Sequence, residues 1–151
     1  MKRCFTKRVF GLTGLAGLVL VSALLGGCNA FGSRISDADV KRIDRAQIQA
    51  WQRGEPTVVL LDVRSQSAFQ RRHIKGAIHA PLPSLRPGED RWTGSDKRLV
   101  VYGQNARDSL APAAAKKLLS QDYANVYVLS GGLKGWRQAG GAVTAAGGGS
   151  N

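Results

Sequence analysis

Cysteine is nearly absent from this 151-residue chain: Cys4 and Cys28 are the only two, and none follows Cys28. The segment from 29 onward therefore has no thiol nucleophile of its own and cannot form an internal disulfide. Histidine is equally scarce. His73 and His79 stand six residues apart with no cysteine near them. That setting suits a structural pair better than a set of metal ligands. No metal and no cofactor is expected. Acidic residues are missing altogether from the first 27 positions, where Lys2, Arg3, Lys7 and Arg8 supply the charge. The chain carries +12 in all, and with those four cations set aside the remainder still carries +8. So basic a chain invites comparison with nucleic-acid binders. Yet no aromatics are interleaved with a basic run, and no helix-turn-helix or zinc-finger spacing occurs. Arg71-Arg72 and Lys97-Arg98 are scattered pairs, and no internal repeat is present. Nucleic acid is not an expected partner.

What is present begins at the N-terminus. The basic start leads into an apolar run over 9–25 and closes on Leu25-Gly26-Gly27-Cys28. A charged start, a short apolar core and small residues at a cleavage site make a secretory signal. An uncleaved anchor would need about 20 spanning residues, and this run is shorter. Leu-Gly-Gly-Cys resembles the lipobox of bacterial lipoproteins. That resemblance implies removal of residues 1–27 and lipidation of Cys28, whose sulfur is then consumed as a thioether. It places the protein in the bacterial cell envelope, lipid-anchored and facing the periplasm. Asn29, not being aspartate, points to sorting to the outer membrane. Membrane lipid is the first expected partner, with the basic surface lying near anionic headgroups.

Residues 28–39 read as the lipidated cysteine and a polar tether, 40–143 as one domain, and 144–151 as a disordered Gly-rich tail. About a hundred residues is an ordinary size for one core. A short strand is expected at 40–43, followed by a helix over 45–52 capped by Asp44, with Ile48 and Trp51 inward. Residues 58–63 are apolar at five of six positions, as in a central parallel strand covered on both faces. A short helix follows over 65–71 with Ala68 and Phe69 inward, then a strand at 77–80 stopped by Pro81 and Pro83. The stretch 82–97 is expected to be a surface connection with at most one helical turn. Another buried strand follows at 99–102. Ser109 is a good N-cap for the next helix, which has Leu110, Ala114, Leu118 and Leu119 at helical spacing. A last strand at 126–129 leads through Gly131-Gly132 into a helix over 133–139. This alternation predicts an α/β fold: a single domain with a mostly parallel central sheet and helices on both faces.

The loop over 103–108 joins a strand end to a helix start, the place where ligands sit in such sheets. Its backbone N–H groups can converge on an anion, helped by the positive end of the helix dipole. A cysteine heading the loop would have a depressed pKa and a ready thiolate. This chain has Gly103 there. It has the shape of a catalytic cradle without the nucleophile.

Asp62-Val63-Arg64, Phe69, His73-Ile74-Lys75-Gly76-Ala77-Ile78 and Leu129-Ser130-Gly131-Gly132-Leu133-Lys134-Gly135-Trp136 together resemble the rhodanese (sulfurtransferase) family. The resemblance runs in order through the whole of 40–143. Each motif also has a physical reading. A carboxylate ending a buried strand, as Asp62 does, must be hydrogen-bonded, to loop amides or to Arg64. Gly76 permits a sharp turn, and Trp136 is an apolar plate sealing the last helix to the sheet. Asp62, Arg64, His73, Gly76, Gly131, Gly132 and Trp136 are read as fold residues. Arg72 stands where the family often has glycine.

The resemblance implies a persulfide-carrying cysteine at the head of the loop, aligned with Gly103, so no catalytic residue is assigned. The loop has the family length of six. Arg107 sits where catalytic members carry a basic or polar residue, Asp108 where many have arginine, and Ala106 where glycine is frequent. A related phosphatase needs the same cysteine and a longer loop. Ser109, the only nearby hydroxyl, has no evident base and is read as a helix cap. The expected function is a non-catalytic, membrane-anchored module. It is expected to bind a small oxyanion or a protein partner at Gly103, Gln104, Asn105, Ala106, Arg107, Asp108 and Ser109. Two alternatives stand beside it: sulfur transfer using a partner's thiol or an unrecognised acceptor, and a purely structural interaction domain.

Overall fold

The computed structural model describes residues 35–54, 57–88, 92 and 96–146. The expected signal, Cys28 and the start of the tether lie outside the described residues. The elements are β1 (Lys41–Ile43), α1 (Arg45–Gln52), β2 (Val58–Asp62), α2 (Gln66–Arg71), β3 (His73–Ile74), β4 (Ile78–His79), β5 (Arg98–Tyr102), α3 (Leu110–Leu119), β6 (Val126–Leu129), α4 (Gly132–Gln138) and β7 (Val143–Thr144). Five strands form a wholly parallel sheet in the order β1-β6-β5-β2-β4, and β3 pairs antiparallel with β7 in a second, two-stranded sheet.

The alternation of side chains along the three middle strands divides the core in two. Leu61 of β2, Leu99 and Val101 of β5, and Val126 and Val128 of β6 pack with Ala111, Ala114, Ala115 and Leu118 of α3. Leu60, Val100, Tyr102 and Leu129 point the other way, onto Ile48 of α1 and Leu133 and Trp136 of α4. Both faces of these strands are covered, which is why their sequences read as unbroken apolar runs. The α/β class, the parallel sheet and the helices on both faces agree with the sequence reading.

Local chemistry sets the boundaries. Asp44 accepts the Gln47 N–H at 2.8 Å and caps α1, while Ser65 accepts the Ala68 N–H and caps α2. Gly76, at φ +81°, reverses the chain between β3 and β4. The Trp136 indole N–H donates to the Ala142 carbonyl at 3.0 Å and fixes α4 against the segment that follows it.

Four expectations need correction. The tether does not run to 39 without structure. Asp37–Asp39 is a 3-10 turn closed by a capping box between Ser36 and Asp39. Asp37 there pairs with Lys116 at 2.9 Å, an interaction that lowers its carboxyl pKa. The domain does not stop at 143: β7 includes Thr144, and the Ala146 N–H donates to the Gln70 carbonyl at 2.9 Å. Residues 147–151 lie outside the described residues. The connection over 82–97 contains its expected turn at Leu82–Ser84, but Leu85 and Trp92 are buried in the α3-side core. Two large apolar side chains anchor a segment whose average composition is that of a surface. Finally, Leu110 is 41% exposed, and Ala111, Ala114, Ala115 and Leu118 make the buried stripe of α3.

Candidate functional site

The site lies where β2 and β5 end side by side, with Asp62 in register with Tyr102. Asp62 is fully buried. Its Oδ1 accepts the Arg64 backbone N–H at 3.1 Å and Nε–H at 2.9 Å, and its Oδ2 accepts Nη2–H at 2.6 Å. The carboxylate that ends the strand is thus held by both of the partners its position called for. Burial alone would lower the Arg64 pKa, but the hydrogen bonds and charge of Asp62 outweigh it and hold the guanidinium more firmly protonated than usual. Arg64 reaches further. Its Nη1–H donates to Gln104 Oε1 at 2.8 Å and its Nη2–H to the Arg72 carbonyl at 2.6 Å. One nearly buried guanidinium therefore ties the end of β2 to the loop after β5 and to the end of α2. Beneath it, the Tyr102 hydroxyl accepts the Ile74 N–H at 3.1 Å. Burial, reinforced by the charge of Asp62, pushes the Tyr102 pKa far up and keeps the phenol neutral.

His73 and His79 are a structural pair built on Phe69. The His73 ring stacks on Phe69 with centroids 3.9 Å apart, and that of His79 lies 5.0 Å away. His73 Nδ1–H donates to the Phe69 carbonyl and His79 Nε2–H to the Arg64 carbonyl, each at 2.9 Å. A carbonyl can only accept, so these bonds fix which nitrogen bears the proton.

The loop from Gly103 to Ser109 is closed by one of its own side chains. Asp108 Oδ2 accepts the Gln104 N–H at 2.7 Å and Oδ1 accepts the Leu110 N–H at 2.8 Å. Asn105 adds an Asx turn: its Oδ1 accepts the Arg107 N–H at 2.9 Å, and its carbonyl accepts the Asp108 N–H at 3.2 Å. Three amides expected to face an external anion, those of Gln104, Arg107 and Asp108, thus donate within the loop. The cap of α3 is likewise Asp108. Ser109 has helical dihedrals and makes no side-chain capping bond. The reason lies at Gly103, which is buried. A Cβ there would stand 2.3 Å from Asp108 Oδ2 and 2.6 Å from its Cγ, so the carboxylate occupies space that any side chain at 103 would need. Arg107 is exposed and lines two cavities of about 430 Å³ each, one shared with Lys134 and Gln138, the other with Arg42, Lys116 and Asp37.

The start of α4 supports the loop from behind. The Leu133 and Lys134 N–H groups donate to the Gly103 and Gln104 carbonyls, both at 3.0 Å. Gly131 and Gly132 have φ of +77° and +55°, and a Cβ on Gly132 would lie 2.6 Å from the Gly103 carbonyl oxygen. Here glycine is required twice over, for its conformation and for the approach of two backbones. Gly132→Ala is expected to lower unfolding stability by on the order of 2–3 kcal/mol, measured in denaturant. An unchanged unfolding midpoint would show that the loop and α4 are not packed this closely.

The family description "Rhodanese-like domain" matches residues 44–139, well over half of the chain. The chain belongs to the rhodanese-like family. Among curated relatives, a thiosulfate sulfurtransferase GlpE of Pseudomonas syringae is 35% identical over 99 residues, covering 66% of this chain and 89% of its own. Among solved structures, the Alr3790 protein of Anabaena sp. superposes with a TM-score of 0.58 at 30% identity, covering 68% of this chain and 80% of its own. A thiosulfate sulfurtransferase of Pseudomonas aeruginosa gives 0.60 at 31% identity, over 70% of this chain and 20% of its own. Within the rhodanese-like domain, the structure gathers Asp62, Arg64, Gln104 and Asp108 at one end of the sheet. Composition alone did not single out Gln104 or Asp108 as organisers of that end.

Proposed function

We propose that the protein is a non-catalytic rhodanese-like module, anchored by a lipidated Cys28 in the bacterial envelope, that binds a small oxyanion or a protein partner. The observation that carries this reading is the pairing of Gly103 with Asp108. On this reading Gly103 stands at the position of the persulfide-bearing cysteine, and the Asp108 carboxylate fills the room left by the missing side chain. Carrying sulfur as a persulfide needs a thiol, and residues 29–151 contain none. The lipobox-like Leu25-Gly26-Gly27-Cys28 supports the anchor, and the rule that spares Asn29 from retention supports the outer membrane.

The test is the intact mass of the full chain purified from a bacterial membrane, before and after incubation with thiosulfate. The expected product begins at an acylated Cys28, remains unprocessed in Cys28→Ser, and gains no sulfur atom. A chain that retains residues 1–27 would overturn the anchor; a stable gain of one sulfur would overturn the non-catalytic reading. The similarity to thiosulfate sulfurtransferases favours a second reading, sulfur transfer with a thiol supplied by a partner. That reading requires turnover to appear only when a dithiol or a thiol protein is added.

A further inference from the structure

Three arginines from two distant parts of the sequence meet in the fold. Arg71 and Arg72 end α2, Arg137 lies in the last turn of α4, and all three are exposed. Together with Arg64 they line one cavity of about 280 Å³, which Gln104 and Leu133 help to enclose. Among the described residues, no carboxylate lines it. Asp62 neutralises Arg64, and among the described residues Arg71, Arg72 and Arg137 have no acidic partner. Among the described residues, the cavity thus has three guanidinium groups without an acidic partner around a fourth, and the fourth is held in place by its bonds to Asp62, Gln104 and the Arg72 carbonyl.

We propose that this cavity is a binding site for a compact ligand carrying two or more negative charges on phosphate. The charge count asks for a multivalent anion, and the planar N–H forks of arginine match phosphate oxygens two at a time. The volume lies at the low end of ligand pockets, which favours a pyrophosphate or phosphomonoester over a larger molecule. The neighbouring loop competes less well, because Asp108 already accepts its Gln104 N–H and Asn105 those of Arg107 and Asp108. The cavities beside Arg107 compete less well: one contains the carboxylates of Asp37 and Asp108, and among the described residues the other has two cations, Arg107 and Lys134. The inference rests on reading the domain as a binding module. The phosphate it takes belongs either to a soluble ester or to a lipid headgroup that ends in a phosphomonoester, since both offer the same oxygens.

The experiment titrates inorganic pyrophosphate into the full chain in neutral detergent micelles, with affinity read by calorimetry and location by amide shifts. Saturable binding is expected, with shifts over 64–73 and 133–138. Arg71→Ala and Arg137→Ala should each weaken it about tenfold, the loss of one charge-assisted contact. Arg107→Ala should leave affinity unchanged, and none of these exposed substitutions should alter the melting temperature. Adding phosphatidic acid, whose headgroup is a phosphomonoester, to the micelles separates the sources. Competition with pyrophosphate assigns the pocket to a headgroup, and its absence assigns it to a soluble phosphate. Shifts confined to 103–109, with affinity lost in Arg107→Ala, would overturn the inference while leaving the binding module intact. No saturable binding would overturn the inference as well, and the mass measurement above would still judge the non-catalytic reading separately.

Discussion

Gly103→Cys alone is expected to leave the protein without measurable thiosulfate:cyanide sulfurtransferase activity, whereas Gly103→Cys together with Asp108→Arg gains it. A side chain at 103 meets the Asp108 carboxylate at 2.3 Å, so the single substitution must expel the group that caps Gln104 and Leu110. Where the carboxylate stays close, it opposes the thiolate. Two like charges about 4 Å apart cost on the order of 4 kcal/mol at an effective dielectric of 20. Such repulsion raises the thiol pKa and withholds the nucleophile. Replacing Asp108 by arginine removes the clash, reverses the sign of the field and releases the Gln104 and Leu110 amides to face the sulfur. The double variant should exceed the single one by about 100-fold or more, even with much of that repulsion screened. Equal activity in the two would mean that Asp108 does not guard the site.

The second large effect is at Arg64. Arg64→Ala removes both guanidinium donors that hold Asp62, and Asp62 has no exposed surface through which water could replace them. Breaking a buried pair from one side costs about 3–5 kcal/mol. For a domain of this size that corresponds to a fall in Tm of roughly 10–20 °C. The loop should loosen with it, because the Arg64–Gln104 bond goes too. Removing both charges, as Asp62→Asn with Arg64→Met, should recover much of the loss, since no bare carboxylate is then buried. Thermal unfolding followed by circular dichroism reads both variants. A small effect of Arg64→Ala would mean that water or another donor reaches Asp62.

The parts of the fold that were legible are those where one element's sequence carries its own reason. The strands β2, β5 and β6 are covered on both faces, so their apolar runs stand out without reference to anything else. Asp62 was legible because a carboxylate after such a run needs donors, and Arg64 is two residues away. What was not legible depends on distant partners. Strand β7 is two residues long and exists because β3 lies beside it. Leu85 and Trp92 are core anchors within a stretch of prolines, glycines and charges, and averaging over the stretch hides them. Asp108 and Ser109 are adjacent and both are good caps. The choice between them is made by the empty volume at Gly103, five positions earlier in the chain. The arginine cavity combines the ends of α2 and α4, and in the sequence Arg71-Arg72 looks like an ordinary solvated pair.

On the proposed reading, Gly103 and Asp108 together leave this rhodanese-like domain without sulfur transfer. The decisive measurement is thiocyanate formation from thiosulfate and cyanide by the purified full chain, run beside the cysteine-free variant Cys4→Ser, Cys28→Ser. No turnover above buffer is expected from either protein. Turnover that persists in the cysteine-free variant would contradict that reading outright and would place the chemistry on a group other than a thiol.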